Sequence, residues 1–128
     1  MTYQEAIDER DFHLDGWREG DPAAFKSLFI QLYPGFFSFA SALLSEGEAA
    51  REVTMEAFFI GWKKREDLDE LKNIKAFLYN TIRNHSLNYL RQLQRDPSSA
   101  EYIPLFYPDA SLPEALIREI RAYVASGI

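Results

Sequence analysis

The strongest constraint on how this chain can fold is the period of its apolar residues. After Asp21-Pro22 they fall at Phe25, Leu28, Phe29, Leu32, Phe36, Phe39, Ala40 and Leu43. Returns of three and four residues trace one face of an α-helix, whereas a half-buried strand alternates every second residue. The Asp side chain can accept from free amides of a first turn, and proline suits the first helical position. The spacing therefore predicts a helix opening at Asp21-Pro22. Tyr33, Phe37 and Leu44 widen its apolar stripe, and Pro34-Gly35 predicts a kink.

The same period recurs on both sides. A short helix is expected over residues 3–19, broken at Gly16 and ended by Gly20. A turn over residues 45–48 leads to a third helix over residues 49–65, with Val53, Ala57, Phe58, Gly61 and Trp62 on its core side. The polar stretch over residues 66–72 reads as a loop. Asn73 is expected to cap a fourth helix over residues 74–95, with Ile74, Phe77, Leu78, Ile82, Tyr89, Leu90 and Leu93 inward, stopped by Asp96-Pro97. Residues 97–111, with three prolines, read as a linker. Ser111-Leu112-Pro113-Glu114 fits a capping box for a last helix whose apolar side is Leu116, Ile117, Ile120, Tyr123 and Val124. No strand pattern or internal repeat competes. The expected fold is all-α, a compact bundle of four to five helices.

Composition narrows function. The 128 residues suit one domain, and 47% apolar content supports a core. There is no cysteine, which excludes disulfide scaffolds, Cys-based zinc sites and thiol catalysis. Two histidines make a His-rich metal site improbable, and neither a calcium loop nor a glycine-rich phosphate loop is present. His85 precedes Ser86, but adjacent helical residues diverge, so they form no catalytic pair. No catalytic residue, metal or cofactor is expected, and the chain reads as a non-enzyme. No signal peptide or long apolar run appears, so the expected setting is cytoplasmic.

The net charge of −6 argues against a phosphate-rich partner, but it is an average. Residues 1–62 carry −7, residues 63–95 carry +4 and residues 96–128 carry −3. The basic segment reads either as a solvated helix face or as a local surface for an anionic ligand. Its fourth helix places Asn80, Asn84, Asn88, Arg91 and Arg95 on one side, with Lys75, Tyr79 and Arg83 beside them. Asn is a poor helix former, so three on one face suggest a use for their amides, which offer a base edge both a donor and an acceptor. Arg suits phosphate, and Tyr79 suits stacking on an unpaired base. Lys63, Lys64, Arg65 and Lys72 flank the preceding loop and are placed to hold a nucleic-acid backbone. The third helix carries Glu52, Met55, Glu56, Phe59 and Lys63 opposite its core side. An apolar centre with a charged rim suggests a docking surface for a partner helix; the other reading packs Phe59 under a neighbouring loop.

These residues resemble a family. Gly20-Asp21-Pro22-Ala23-Ala24-Phe25 with Leu28-Phe29 and Tyr33 is similar to the opening of extracytoplasmic-function sigma factors of bacterial RNA polymerase. Glu52-Val53-Thr54-Met55-Glu56-Ala57-Phe58 with Trp62 is similar to the helix that follows in those proteins. The run from Asn73 to Tyr79, then Ile82-Arg83-Asn84-His85 and Asn88-Tyr89-Leu90-Arg91, resembles their next helix. The likeness covers roughly residues 12–95 and points to the promoter-melting region 2 domain of the sigma-70 family.

The resemblance implies a transcription initiation factor. Its polymerase-core contact, on the clamp helices of the largest subunit, would fall to Glu52, Met55, Glu56 and Phe59. The minus-ten element of promoter DNA, with a flipped non-template base, would be met by the 66–72 loop with Lys72, Asn73, Lys75, Tyr79, Asn80, Asn84, Asn88, Arg91 and Arg95. Met55 stands where the family has Gln, and the 66–72 loop is acidic. Such factors carry a second, helix-turn-helix domain, so residues 1–96 read as region 2, 97–111 as linker, and 112–128 as the linker's end or the start of that second domain. A truncated chain is expected, a natural one-domain form being the other reading. An anti-sigma factor is a further expected partner, and membrane insertion is not expected. The alternative function is a sigma-like interaction module that binds such a regulator without reading DNA.

Overall fold

The computed structural model describes residues 14–97 and 111–126, all of whose regular elements are helical. Residues 3–13 of the helix expected over 3–19, and most of the linker, lie outside the described residues. The elements are α1 (Leu14–Glu19), α2 (Pro22–Leu43), α3 (Gly47–Lys63), a short 3-10 turn (Arg65–Asp67), α4 (Leu71–Arg95) and α5 (Glu114–Ala125).

The α1–α2 corner is closed by a Schellman motif, in which the Asp21 amide bonds the Gly16 carbonyl at 2.8 Å and the Gly20 amide bonds the Trp17 carbonyl at 3.2 Å. Gly20 takes φ +85°, which a side chain rarely tolerates. Asp21 then caps α2, accepting from the Ala23 amide at 3.0 Å, with Pro22 in the first turn. α2 continues through Pro34 for 22 residues. Pro34, Gly35 and Ile30 are all exposed, so the amide that proline lacks faces solvent, where water can serve the carbonyl one turn back.

Capping decides where α3 begins, and burial where α4 and α5 begin. α3 starts at Gly47 because the Glu46 carboxylate accepts from the Glu48 and Ala49 amides, both at 2.7 Å. α4 starts at Leu71 and is capped by the backbone of Glu70, so Asn73 is a first-turn residue and not the expected cap. Leu68 and Leu71 are both buried, and seating them on the core pulls the chain into helix early. Ser111 likewise does not cap α5. Its hydroxyl accepts from the Trp62 indole at 2.9 Å, Leu112 is buried, and the helix begins after Pro113.

The core is aromatic and lies between α2, α3 and α4. Phe25 sits at its centre, stacked on Phe59 at 5.8 Å and edge-on to Trp62 at 5.4 Å, while Trp17 of α1 meets Trp62 at 5.2 Å. Phe29 packs on Phe58 at 4.7 Å and on Tyr33 at 5.0 Å. Such offset and edge-on pairs each contribute about 1 kcal/mol beyond their buried area. α3 passes through the middle, with every residue from Val53 to Phe59 buried. α5 lies on the outside of the α2–α3 pair. Ile120 and Val124 are buried, Tyr123 is edge-on to Phe29 and Tyr33, and Glu119 pairs with Lys26.

Candidate functional site

The amphipathic α4 builds the basic surface. Leu71, Ile74, Leu78, Ile82, Ser86 and Tyr89 point inward. Helical geometry then turns Asn80, Asn84, Asn88, Arg91 and Arg95 outward, and all five are exposed. At 1.5 Å per residue this row spans roughly 22 Å, the run of about six nucleotides along one strand. Arg91 donates to the Asn88 amide oxygen at 3.1 Å, which holds a guanidinium and an amide side by side.

Tyr79 is nearly half exposed, at 47%. One face of its ring is stacked on Phe39 of α2, with centroids 4.6 Å apart and planes 19° from parallel. Exposed Arg83 and half-buried Lys75 lie one turn away on either side along α4. The sequence pattern assigns Phe39 to the buried stripe of α2. Only the crossing of α2 and α4 shows it backing an exposed aromatic ring.

The bases around the 66–72 segment are less alike than their clustering suggests. Lys63, Lys64 and Lys72 are exposed. Lys64 lies over the Phe77 ring at 5.9 Å, and Lys72 pairs with Glu70 at 3.4 Å. Arg65 is different. Its guanidinium lies over the Trp62 ring at 4.6 Å and donates to the Trp62 carbonyl at 3.0 Å, packing it against the fold. Asn73 is half-buried in the first turn of α4.

The expected outer face of α3 is corrected most. Met55, Glu56 and Phe59 are only 2–3% exposed. Phe59 is inside because it stacks on Phe25. Glu56 is inside because α4 supplies His85, whose Nδ1 lies 2.5 Å from Glu56 Oε1. Met55 lines a groove with Glu48, Arg51, Glu52, Arg121, Val124 and Ala125, so its outer side meets α5. Glu52 remains half-buried there. Burial raises its carboxyl pKa above the usual carboxylate range, and Arg121 of α5 partly opposes the shift. The spacing that places these residues on one side of α3 holds, but that side is covered. His85 offers no signal in sequence because its partner is 29 residues away on another helix.

Residues 28–96 match the family model for sigma-70 region 2. The chain belongs to the sigma-70 region 2 family. The match runs from the second turn of α2 to the end of α4, the segment that holds most of the core and the outward row. No curated protein and no solved structure matches the chain. Membership in the region 2 family assigns a sigma-factor role in transcription initiation, with RNA polymerase core and promoter DNA as partners. No described helix is long and apolar enough to cross a membrane.

Proposed function

We propose that this region 2 domain is of the extracytoplasmic-function type. It would join polymerase core through α3 and capture the non-template strand of the minus-ten element on α4, with one base flipped from the stack. The outward row of Asn80, Asn84, Asn88, Arg91 and Arg95 on α4 carries this reading. Amides read base edges, guanidinium groups hold phosphate, and Tyr79 offers a ring face for an unpaired base. Flipping costs a few kcal/mol of stacking, which those contacts offset. Lys75 and Arg83 flank the ring, and Lys63, Lys64 and Lys72 lie toward the start of α4, so positive charge borders the strand's path. Arg65 drops out of the strand-contacting set, since Trp62 holds it. Residues 1–96 form the reading unit and residues 97–111 a linker in this proposal.

Acidity elsewhere serves the same end. A body of net −7 over residues 1–62 repels arbitrary DNA and makes strand capture depend on polymerase. The test is binding of a fluorescent minus-ten single strand to a reconstituted polymerase complex. Arg91→Ala should weaken capture about tenfold and lower the slope of log affinity against log salt by about one. Unchanged capture by Arg91→Ala and by an Asn80→Ala/Asn84→Ala double variant would overturn the α4 assignment.

The covered side of α3 favours a second reading, a module that binds a regulator such as an anti-sigma factor without reading DNA. A photocrosslink from Tyr79 or Asn80 to promoter DNA in the polymerase complex decides between the two.

A further inference from the structure

We infer that α5 is an intramolecular cover over the Glu52 and Met55 side of α3, so that this part of the polymerase-docking surface is open only when α5 has left it. The inference rests on the reading of α3 as the docking helix and adds how that surface is controlled.

Four observations place α5 over that side of α3. Its apolar side is inserted, with Ile120 1% and Val124 7% exposed. Tyr123 adds edge-on contacts to Phe29 at 6.2 Å and Tyr33 at 5.9 Å. Polar contacts fix the register: Ser111 accepts from the Trp62 indole at 2.9 Å before the helix, and Glu119 pairs with Lys26 within it. Arg121 supplies positive charge to Glu52 and lines a cleft between α3 and α5 with Glu52 and Met55, which are two of the four residues assigned to polymerase contact.

The surface under α5 therefore has the chemistry of a helix receptor: Phe29 and Tyr33 from α2, Met55 from α3 and the Glu52 carboxylate at the rim. A partner helix needs an apolar stripe and a cation facing Glu52, which α5 already provides in cis. Two helices cannot cover one surface, so polymerase and α5 compete. The apparent affinity for polymerase is then scaled down to the fraction of molecules in which α5 has left this surface. α5 is suited to leave. At 12 residues it is short for an isolated helix, so it is held by its contacts with α2 and α3 and not by its own propensity.

The experiment uses the whole 128-residue chain, whose lack of cysteine permits clean site-specific crosslinking. Lys26→Cys with Glu119→Cys, bridged by a short bismaleimide, pins α5 to α2 at positions outside the docking surface. Ile120→Ala loosens α5 in a second variant. Circular dichroism and thermal unfolding confirm that both remain folded. Binding to polymerase core is measured for each. The pinned chain should bind at least about tenfold more weakly than the same double variant left unbridged, and Ile120→Ala about threefold more tightly than wild type. Equal binding by bridged and unbridged chains would overturn the competition while leaving the docking reading intact. No binding by any form, the loosened one included, would overturn the docking reading and the competition with it.

Discussion

Glu56 on α3 and His85 on α4 meet across the interior, with Oε1 and Nδ1 2.5 Å apart and the carboxylate 2% exposed. The pair ties the helix proposed to hold polymerase to the helix proposed to hold DNA. Any rotation of α4 against α3 would separate the two groups and leave the carboxylate without its imidazole in a poorly solvated place.

His85→Ala should accordingly destabilise the fold by about 3 kcal/mol, the low end for removing one member of a buried pair, because water can approach from the half-buried histidine side. Glu56→Gln keeps the shape and a hydrogen-bonding group and should cost about 1 kcal/mol. Urea denaturation midpoints measure both. Equal losses for the two variants would show that packing, not the carboxylate's need for a partner, sets the cost.

Tyr79 and Phe39 predict a graded effect on DNA capture. Tyr79→Ala removes a stacking face and should weaken strand binding in the polymerase complex by about 1–3 kcal/mol. Tyr79→Phe keeps the ring and should bind nearly as wild type. Phe39→Ala leaves Tyr79 in place but withdraws the ring behind it, and should fall between them. If Tyr79→Phe lost as much as Tyr79→Ala, the phenol would be acting through its hydroxyl and the stacking role would fail.

How far these features are legible in sequence depends on whether their cause is local. Asp21 and Pro22 announce α2 because a cap and a first-turn proline act within three residues. The outward row of α4 is legible for the same reason, since three- and four-residue spacing fixes direction. The start of α4 is not, because the pull on Leu71 comes from the core and overrides Asn73. The outer side of α3 is not either. Phe25, His85 and α5 bury Phe59, Glu56 and Met55, and all three come from distant parts of the chain. Amphipathic spacing shows that two sides of a helix differ; it does not count the neighbours that cover them.

Gly20 gives a stability prediction at the α1–α2 corner. Its φ of +85° disfavours any side chain, and a Cβ there would lie 3.1 Å from Arg65 Nη2. Gly20→Ala should cost about 1–2 kcal/mol from the backbone alone. The guanidinium would have to shift from its seat over Trp62, loosening the end of α3 as well. Thermal unfolding should show a Tm lower by roughly 4–8 °C per kcal/mol. An unchanged Tm would mean that the corner relaxes and that the Schellman turn adds little.

Tyr33 predicts the response to alkali. It is 2% exposed and its hydroxyl is buried without a hydrogen-bond partner among the described residues. Burial pushes its pKa up to about 12, with Arg51 partly opposing. A raised pKa means that the folded state prefers the neutral phenol. That contribution is fully present below the unfolded value of 10.0 and is lost as pH rises through about 12. Wild type should thus lose on the order of 2 kcal/mol between pH 10 and 12 from this group. Tyr33→Phe removes the titrating group together with an unpaired buried hydroxyl. It should be as stable as wild type at pH 7, or slightly more so, and lose less stability above pH 10. Denaturant unfolding at pH 7 and pH 11 makes the comparison. A parallel fall in both proteins would assign the alkaline loss to the lysines and the other tyrosines. A destabilised Tyr33→Phe at pH 7 would show that the hydroxyl has a hydrogen-bond partner in solution.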